Sequence, residues 1–310
     1  MNKPLSPLIL SLSLLVVLGV GCVAEREPQT NQAAANTIQE PSAHTAASDQ
    51  QVLIGRFADP DVVRMDDGTW RLYFGTEPEV PGNQLEIYSA SSTDGVVWTL
   101  HDQPILSRAS FPDVVRLSDG RLRLSFQRAG ELYSATSADG ITFAIDDGVR
   151  IAKTADESGG IGDSATIRLP DGTYLMVFRS AVSGRYRPTS INSTINALVA
   201  ASSADGLTWT RGQTVVDGRS STFDGFVSGP DLFYDPEGVL HLRFWSSGSA
   251  DRQPAHGQYD MVSDDNGLSW SQPASFNDDI LGGDPTYAYQ GGDLLMYYTV
   301  LTKGIYLRQW

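Results

Sequence analysis

A chain of 310 residues, 41% hydrophobic and 19% charged, is long enough for one large domain and too apolar for wholesale disorder. Its 37 acidic residues against 22 basic ones give a net charge of −15, which argues against nucleic acid as a partner. The single cysteine excludes an internal disulfide framework and a cysteine-based zinc site.

Lys3 is the only charge before Glu25, and the apolar run from Leu8 to Val20 is too short to span a bilayer but fits a signal-peptide core. It leads into Gly19-Val20-Gly21-Cys22, so residues 1–21 resemble a bacterial lipoprotein signal, with Leu18 four places before the cysteine instead of the preferred three. The resemblance implies lipidation of Cys22 and an exported protein anchored to a bacterial membrane. Residues 22–50 are rich in Ala, Gln, Thr, Ser and Glu, show no apolar periodicity and read as a flexible tether. Residues 51–310 are expected to fold.

That folded part is a repeat. Asp61-Val-Val-Arg-Met-Asp-Asp-Gly68-Thr-Trp-Arg-Leu-Tyr-Phe74 aligns without gaps with the segments 113–126 and 165–178. Asp231 to Phe244 is a fourth copy and the stretch from Tyr287 a looser fifth. Each copy is two β-rich runs around an Asp-Gly-like turn, which predicts a hairpin. The turn glycines 68, 120, 172, 238 and 292 are 52, 52, 66 and 54 residues apart. A second hairpin follows four of them, in Ser92-Thr-Asp-Gly95-Val-Val-Trp98 and its counterparts ending at Phe143, Trp209 and Trp270. Only the last fits the Asp-box spacing Ser-x-Asp-x-Gly-x-x-Trp; the others are one residue shorter. Ser and Asp bonding to the turn, and an aromatic plug between sheets, make these residues structural.

Two hairpins give four strands, and about fifty residues per unit suits a propeller blade. The fold class expected is therefore all-β: a five-bladed β-propeller with four-stranded antiparallel blades. The last copy has three strands before Trp310, and Val52-Leu-Ile54 is available as its fourth. Length varies between the second and third strands, on the face opposite the glycine turns, and repeat insertions collect on binding faces. On that face the five first strands begin: Asp59-Pro60-Asp61, Phe111-Pro112-Asp113, Asp163-Ser164-Ala165, Gly229-Pro230-Asp231 and Asp284-Pro285-Thr286. This ring of carboxylates predicts a site at the mouth of a central channel, although such residues also serve turns. Two positions along a regular strand would put Asp59 and Asp163 about 6.6 Å above the level of Asp61, Asp113 and Asp231.

Ala58-Asp59-Pro60, ahead of a Val-Val strand and an Asp-Gly turn, resembles the first blade of family 43 glycoside hydrolases and their five-bladed relatives. The resemblance implies that Asp59 is the general base and that Asp163 tunes and orients the acid. It implies a carbohydrate substrate, and the residues expected to contact it are those placed at the mouth by the repeat: Asp61, Asp113, Arg179, Asp231 and Asp284. The family's acid is a Glu in Glu-Gly-Pro, and here that motif reads Ser228-Gly229-Pro230. Glycoside hydrolysis needs two carboxyl groups, so either another acid acts, with Glu77, Glu157 and Asp224 on face loops, or the protein binds glycans without cleaving them. Arg128 and Arg179 end second strands and can hold a carboxylated or hydroxylated ligand, or partner the aspartates. The turns also resemble the Asp boxes of sialidases, a third reading, but the Arg-Ile-Pro signature is absent. The histidines show no metal-ligand spacing, and no metal or cofactor is expected beyond a structural calcium that the resemblance allows in the channel; His256 reads as a surface residue, its approach to that cation being the alternative the resemblance allows. A monomer is expected.

Overall fold

The structure, a computed structural model, describes residues 49–310 except 78–83, 189, 191, 248–256 and 278–281. The signal-like segment, Cys22, the tether up to residue 48 and His256 lie outside the described residues.

The chain forms five antiparallel sheets. Phe57–Arg64, Trp70–Thr76, Glu86–Ser92 and Thr99–Leu100 make the first blade, with Leu106–Ser107 pairing as an extra short strand. Ser110–Arg116, Leu122–Arg128, Glu131–Ser137 and Ala144–Ile145 make the second. The third holds Gly160–Arg168, Tyr174–Ser183, Thr194–Ser203 and Thr210–Asp217. The fourth holds Ser228–Tyr234, Leu240–Ser246, Gly257–Ser263 and Ala274–Asn277. In the fifth, Gly283–Gln290, Asp293–Val300 and Gly304–Gln309 are completed by Gln50–Ile54. First strands touch one another in a closed ring around the axis, as a propeller requires.

The expected closure occurs: Gln50 pairs with Leu307, Leu53 with Ile305 and Ile54 with Gly304. Asp49 adds a two-pronged ion pair to Arg308, at 2.6 and 2.8 Å. Middle strands are buried on both faces because each lies between two neighbouring blades. In the second strand of blade one, Leu72 and Phe74 pack toward blade five while Tyr73, between them, packs toward blade two, following the two-residue alternation. Such interblade clusters form the core and hold the strand starts in a fixed ring.

The Asp-box hairpins are structural, as their composition predicts. In the first, Asp94 Oδ1 accepts from the N–H groups of Val96 and Val97, and Ser92 Oγ accepts from Gly95 N–H. The turn then seats against the preceding blade, where Tyr297 donates to Gly95 O and Tyr73 to Gly140 O.

Candidate functional site

Every first strand begins with the same distortion. Between Ala58 and Asp61, Ser110 and Asp113, Gly162 and Ser164, Ser228 and Asp231, and Gly283 and Thr286, the strand carries one more residue than its partner. The residue at each bulge is left-handed: Asp59, Phe111, Asp163, Gly229 and Asp284 have φ between 48° and 56°. Aspartate tolerates this conformation and glycine is free in it, but a bulky aromatic such as Phe111 adopts it only under constraint. The bulges correct the expectation of a regular two-residue offset, since an extra residue and a reversed φ re-aim the side chain instead of translating it along a strand.

Asp284 thereby shares the level of Asp59 and Asp163. Spacing to the turn conceals this equivalence, because blade five closes its hairpin with only Gly291 and Gly292 between the paired Gln290 and Asp293. The five three-residue starts together line a narrow channel with about 30 Å³ of room, enough for one or two waters.

Two layers of acid surround this channel. Asp61, Asp113 and Asp231 form the deeper one, and each ties its blade to the next. Asp61 accepts from Val114 N–H, Asp113 from Thr166 N–H at 2.9 Å and Asp231 from Tyr287 N–H at 2.7 Å. The Thr166 and Ser164 hydroxyls also donate to Asp113, and the Thr286 hydroxyl donates to Asp61. Ala165 and Thr286 fill the two remaining places of that layer. Burial, more than the hydrogen bonds can offset, lifts the Asp113 carboxyl to about 6 and Asp231 to about 7. Burial and the facing charges of Asp113 and Asp231 push Asp61 well above the usual carboxylate range.

The upper layer opens into a pocket of about 580 Å³, lined among others by Asp59, Asp284, Arg179, Asn196, Phe111 and Trp245. Asp163 closes the floor beside it, with Oδ2 accepting from Ser228 Oγ and from Gly229 N–H at 2.7 Å while Arg179 Nε lies 3.6 Å away. Ser228, standing where the resembled family has its acid, is thus joined directly to the residue expected to orient that acid. Asp59 donates its N–H to Thr299 Oγ1 at 2.9 Å, and Trp245 Nε1 donates to Asp284 Oδ1 at 2.9 Å. The Trp245 indole also packs edge-on to Phe226, centroids 5.0 Å apart.

Of a second ring, sequence reasoning named Arg179 alone. Gly75, Gln127, Arg179, Trp245 and Thr299 occupy one position of the five second strands, opposite the residue just before or at the bulge. Each follows the aromatic that ends the repeat, at 74, 126, 178, 244 and 298, and that is the signal that could have found them. Gly75 lies against Asp59: a Cβ there would stand in ordinary contact, 3.5 Å from Asp59 Oδ2.

The three alternative acids are engaged elsewhere. Glu77 accepts from Thr302 N–H, and Glu157 is held by Arg211, Ser180 and Thr154. Asp224 is fully buried and paired with Arg187. Arg128 bonds to the carbonyls of Ser107 and Arg108. Among the described residues no group of three or more His, Cys, Asp or Glu side chains is placed to hold a metal ion.

No protein-family profile matches the sequence, and no curated protein is detectably similar to it. Solved structures do share the fold. A candidate glycoside hydrolase from Bacteroides ovatus has 15% identity and a TM-score of 0.63, covering 82% of this chain and 86% of its own. A structure described for the GH130 family of mannoside phosphorylases, which contains glycoside hydrolases that target β-1,2 mannosidic linkages in Candida mannan, has 15% identity and a TM-score of 0.63 over 83% and 84%. A protein solved as an RGII complex has 14% identity and a TM-score of 0.65 over 85% and 89%. The chain is an all-β, five-bladed propeller that resembles candidate glycoside hydrolases in fold.

Proposed function

We propose that the protein hydrolyses glycosidic bonds in the mouth pocket, with Asp59 as general base. The observation that carries this reading is the convergence of Asp59 and Asp284, left-handed residues of adjacent blades, on one pocket walled by the Trp245 indole. An aromatic face beside carboxylates suits a sugar ring, which presents C–H groups to the indole and hydroxyls to the acids. The likeness to solved glycoside hydrolases, and a similar fold solved as an RGII complex, support a carbohydrate as the partner.

In this reading a water bonded to Asp59 attacks the anomeric carbon from the face opposite the leaving group, which inverts the configuration. The water's proton passes to Asp59, the glycosidic C–O bond breaks, and the departing oxygen takes a proton from Asp284. Asp163 anchors Ser228 and Arg179 at the floor, while Asp61, Asp113 and Asp231 hold the blades together. Asp59→Asn should lower kcat by roughly 10²–10⁴-fold on any cleaved glycoside while circular dichroism stays unchanged, because an amide cannot take the proton. Asp284→Asn should impair alkyl glycosides far more than nitrophenyl ones, whose leaving groups need no acid. Full turnover by Asp59→Asn would end this mechanism.

One observation favours a second reading, a glycan-binding propeller without turnover: the family's acid position is a serine, hydrogen-bonded to Asp163. Binding of a glycan array with no cleavage by the unaltered protein would select it. Export and a lipid anchor at Cys22 belong to the same proposal, supported by the apolar run that precedes the chain's only cysteine. Cys22→Ser should move the protein from the membrane fraction to the soluble one; unchanged partitioning would rule the anchor out.

A further inference from the structure

We infer that the mouth pocket recognises an acidic sugar, a uronic acid, through Arg179. The inference rests on the glycan reading above and names the class of glycan. Arg179 is mostly buried, its side chain 16% exposed, and its guanidinium lies 5.6 Å from the centre of the Phe111 ring. Its Nε lies 3.6 Å from Asp163 Oδ2, and that oxygen already accepts from Ser228 and Gly229. Neither Nη group makes a hydrogen bond to any described residue. A buried guanidinium whose outer fork is unused, beside a pocket it lines, is arranged for a planar two-oxygen acceptor. The Phe111 ring, held at φ 53°, lies beside that fork.

A second group in the pocket points to the same ligand. Asn196 is 1% exposed and lines the cavity, yet its Oδ1 is buried without a hydrogen-bond partner. Nδ2 donates to Val227 O at 3.3 Å, which leaves Oδ1 as the unused acceptor; it has no surface open to the pocket as it stands, so a ligand hydroxyl reaches it by a small rotation of the side chain. A buried acceptor left unpaired is costly, and a sugar hydroxyl would satisfy it. The pocket therefore offers one cationic fork for a carboxylate and one acceptor for a hydroxyl. Three upper aspartates disfavour an anion everywhere else at the mouth, so Arg179 alone sets where the acidic group sits.

The test is binding measured by calorimetry with glucuronic and galacturonic acids against glucose and galactose, with inorganic phosphate as a further arm. The uronic acids should bind roughly tenfold or more tightly than the neutral sugars, the value of one charge-assisted pair. Arg179→Met should erase that ratio, Arg179→Lys should restore part of it, and circular dichroism should show both variants folded. Equal binding of neutral and acidic sugars overturns the inference, as do an unchanged ratio in Arg179→Met, tighter binding of phosphate, or no binding of any sugar. Uronate preference without hydrolysis of any glycoside would instead sink only the hydrolase, leaving the specificity in place.

Discussion

Gly229 shows how tightly individual positions at the mouth are specified. Its φ is +56°, and a Cβ there would meet Trp245 Cδ1 at 2.6 Å and the Asp284 Cα at 2.9 Å. The indole that donates to Asp284 therefore lies against a surface that only glycine can provide. Gly229→Ala should cost about 1–3 kcal/mol in urea unfolding through backbone strain and displacement of the ring. It should also shift the emission of Trp245, read against a Trp245→Phe control. Unchanged stability and emission would mean that the indole does not rest there. Asp59 and Asp163 were legible as site candidates because they stand at one offset from their turns. Arg179 was legible too, as a cation at the end of a second strand, but Trp245 and Asn196 were not, because what makes them matter is the neighbour each meets across a bulge or from another strand.

At the scale of the element, the first hairpin was readable because it combines period-two alternation with Asp-Gly turns, both local signals. The bulge was not readable. It is a mismatch between two strands, and neither Asp59-Pro60 nor Phe111-Pro112 announces by itself that its first residue is left-handed. The internal bonds of the Asp boxes were legible, since they run over two to four residues. In the second box, Asp139 Oδ1 accepts from the N–H groups of Ile141 and Thr142 and from Ser137, and these bonds hold its carboxyl near 2. Asp139→Ala should therefore lower stability by about 1–2 kcal/mol, the value of a turn-capping carboxylate. Sugar binding and turnover should be unaffected because the box lies on the far face. A matching loss of activity in the folded variant would contradict that separation of roles.

For the whole molecule, buried acid sets the response to pH. Asp113 and Asp231 titrate near 6 and 7 in the folded protein and near 4 when unfolded. Between those values the native state holds protons that the unfolded chain has released, so stability falls as pH rises through that window. His241 acts in the same sense. Burial opposes its charge, but Asp260 and Asp235 outweigh burial and raise its pKa, so the stability it adds below about 6.5 is lost as pH climbs through the folded value. The melting temperature should drop by ~5 °C or more from pH 5 to pH 7.5. Asp231→Asn should flatten that drop. A curve that rises over the range, or an unaltered slope in the variant, would show that the deep layer is not protonated as described.

The pairing of Gln50–Ile54 with the strand that ends at Gln309 has a consequence in time. As the chain emerges N-terminus first, the inner strand Phe57–Arg64 and its hairpin can form early, but Gln51 waits for partners about 250 residues downstream. At usual rates of synthesis that delay is on the order of tens of seconds. Throughout it the backbone of residues 50–54 is an unclaimed edge and the cluster around Leu53 lacks Ile305 and Leu307. Four blades can assemble in order as they emerge, whereas the ring exists only once the last strand has been made. A nascent chain halted before residue 304 should therefore be protease-sensitive at its first strand however much of the rest has folded.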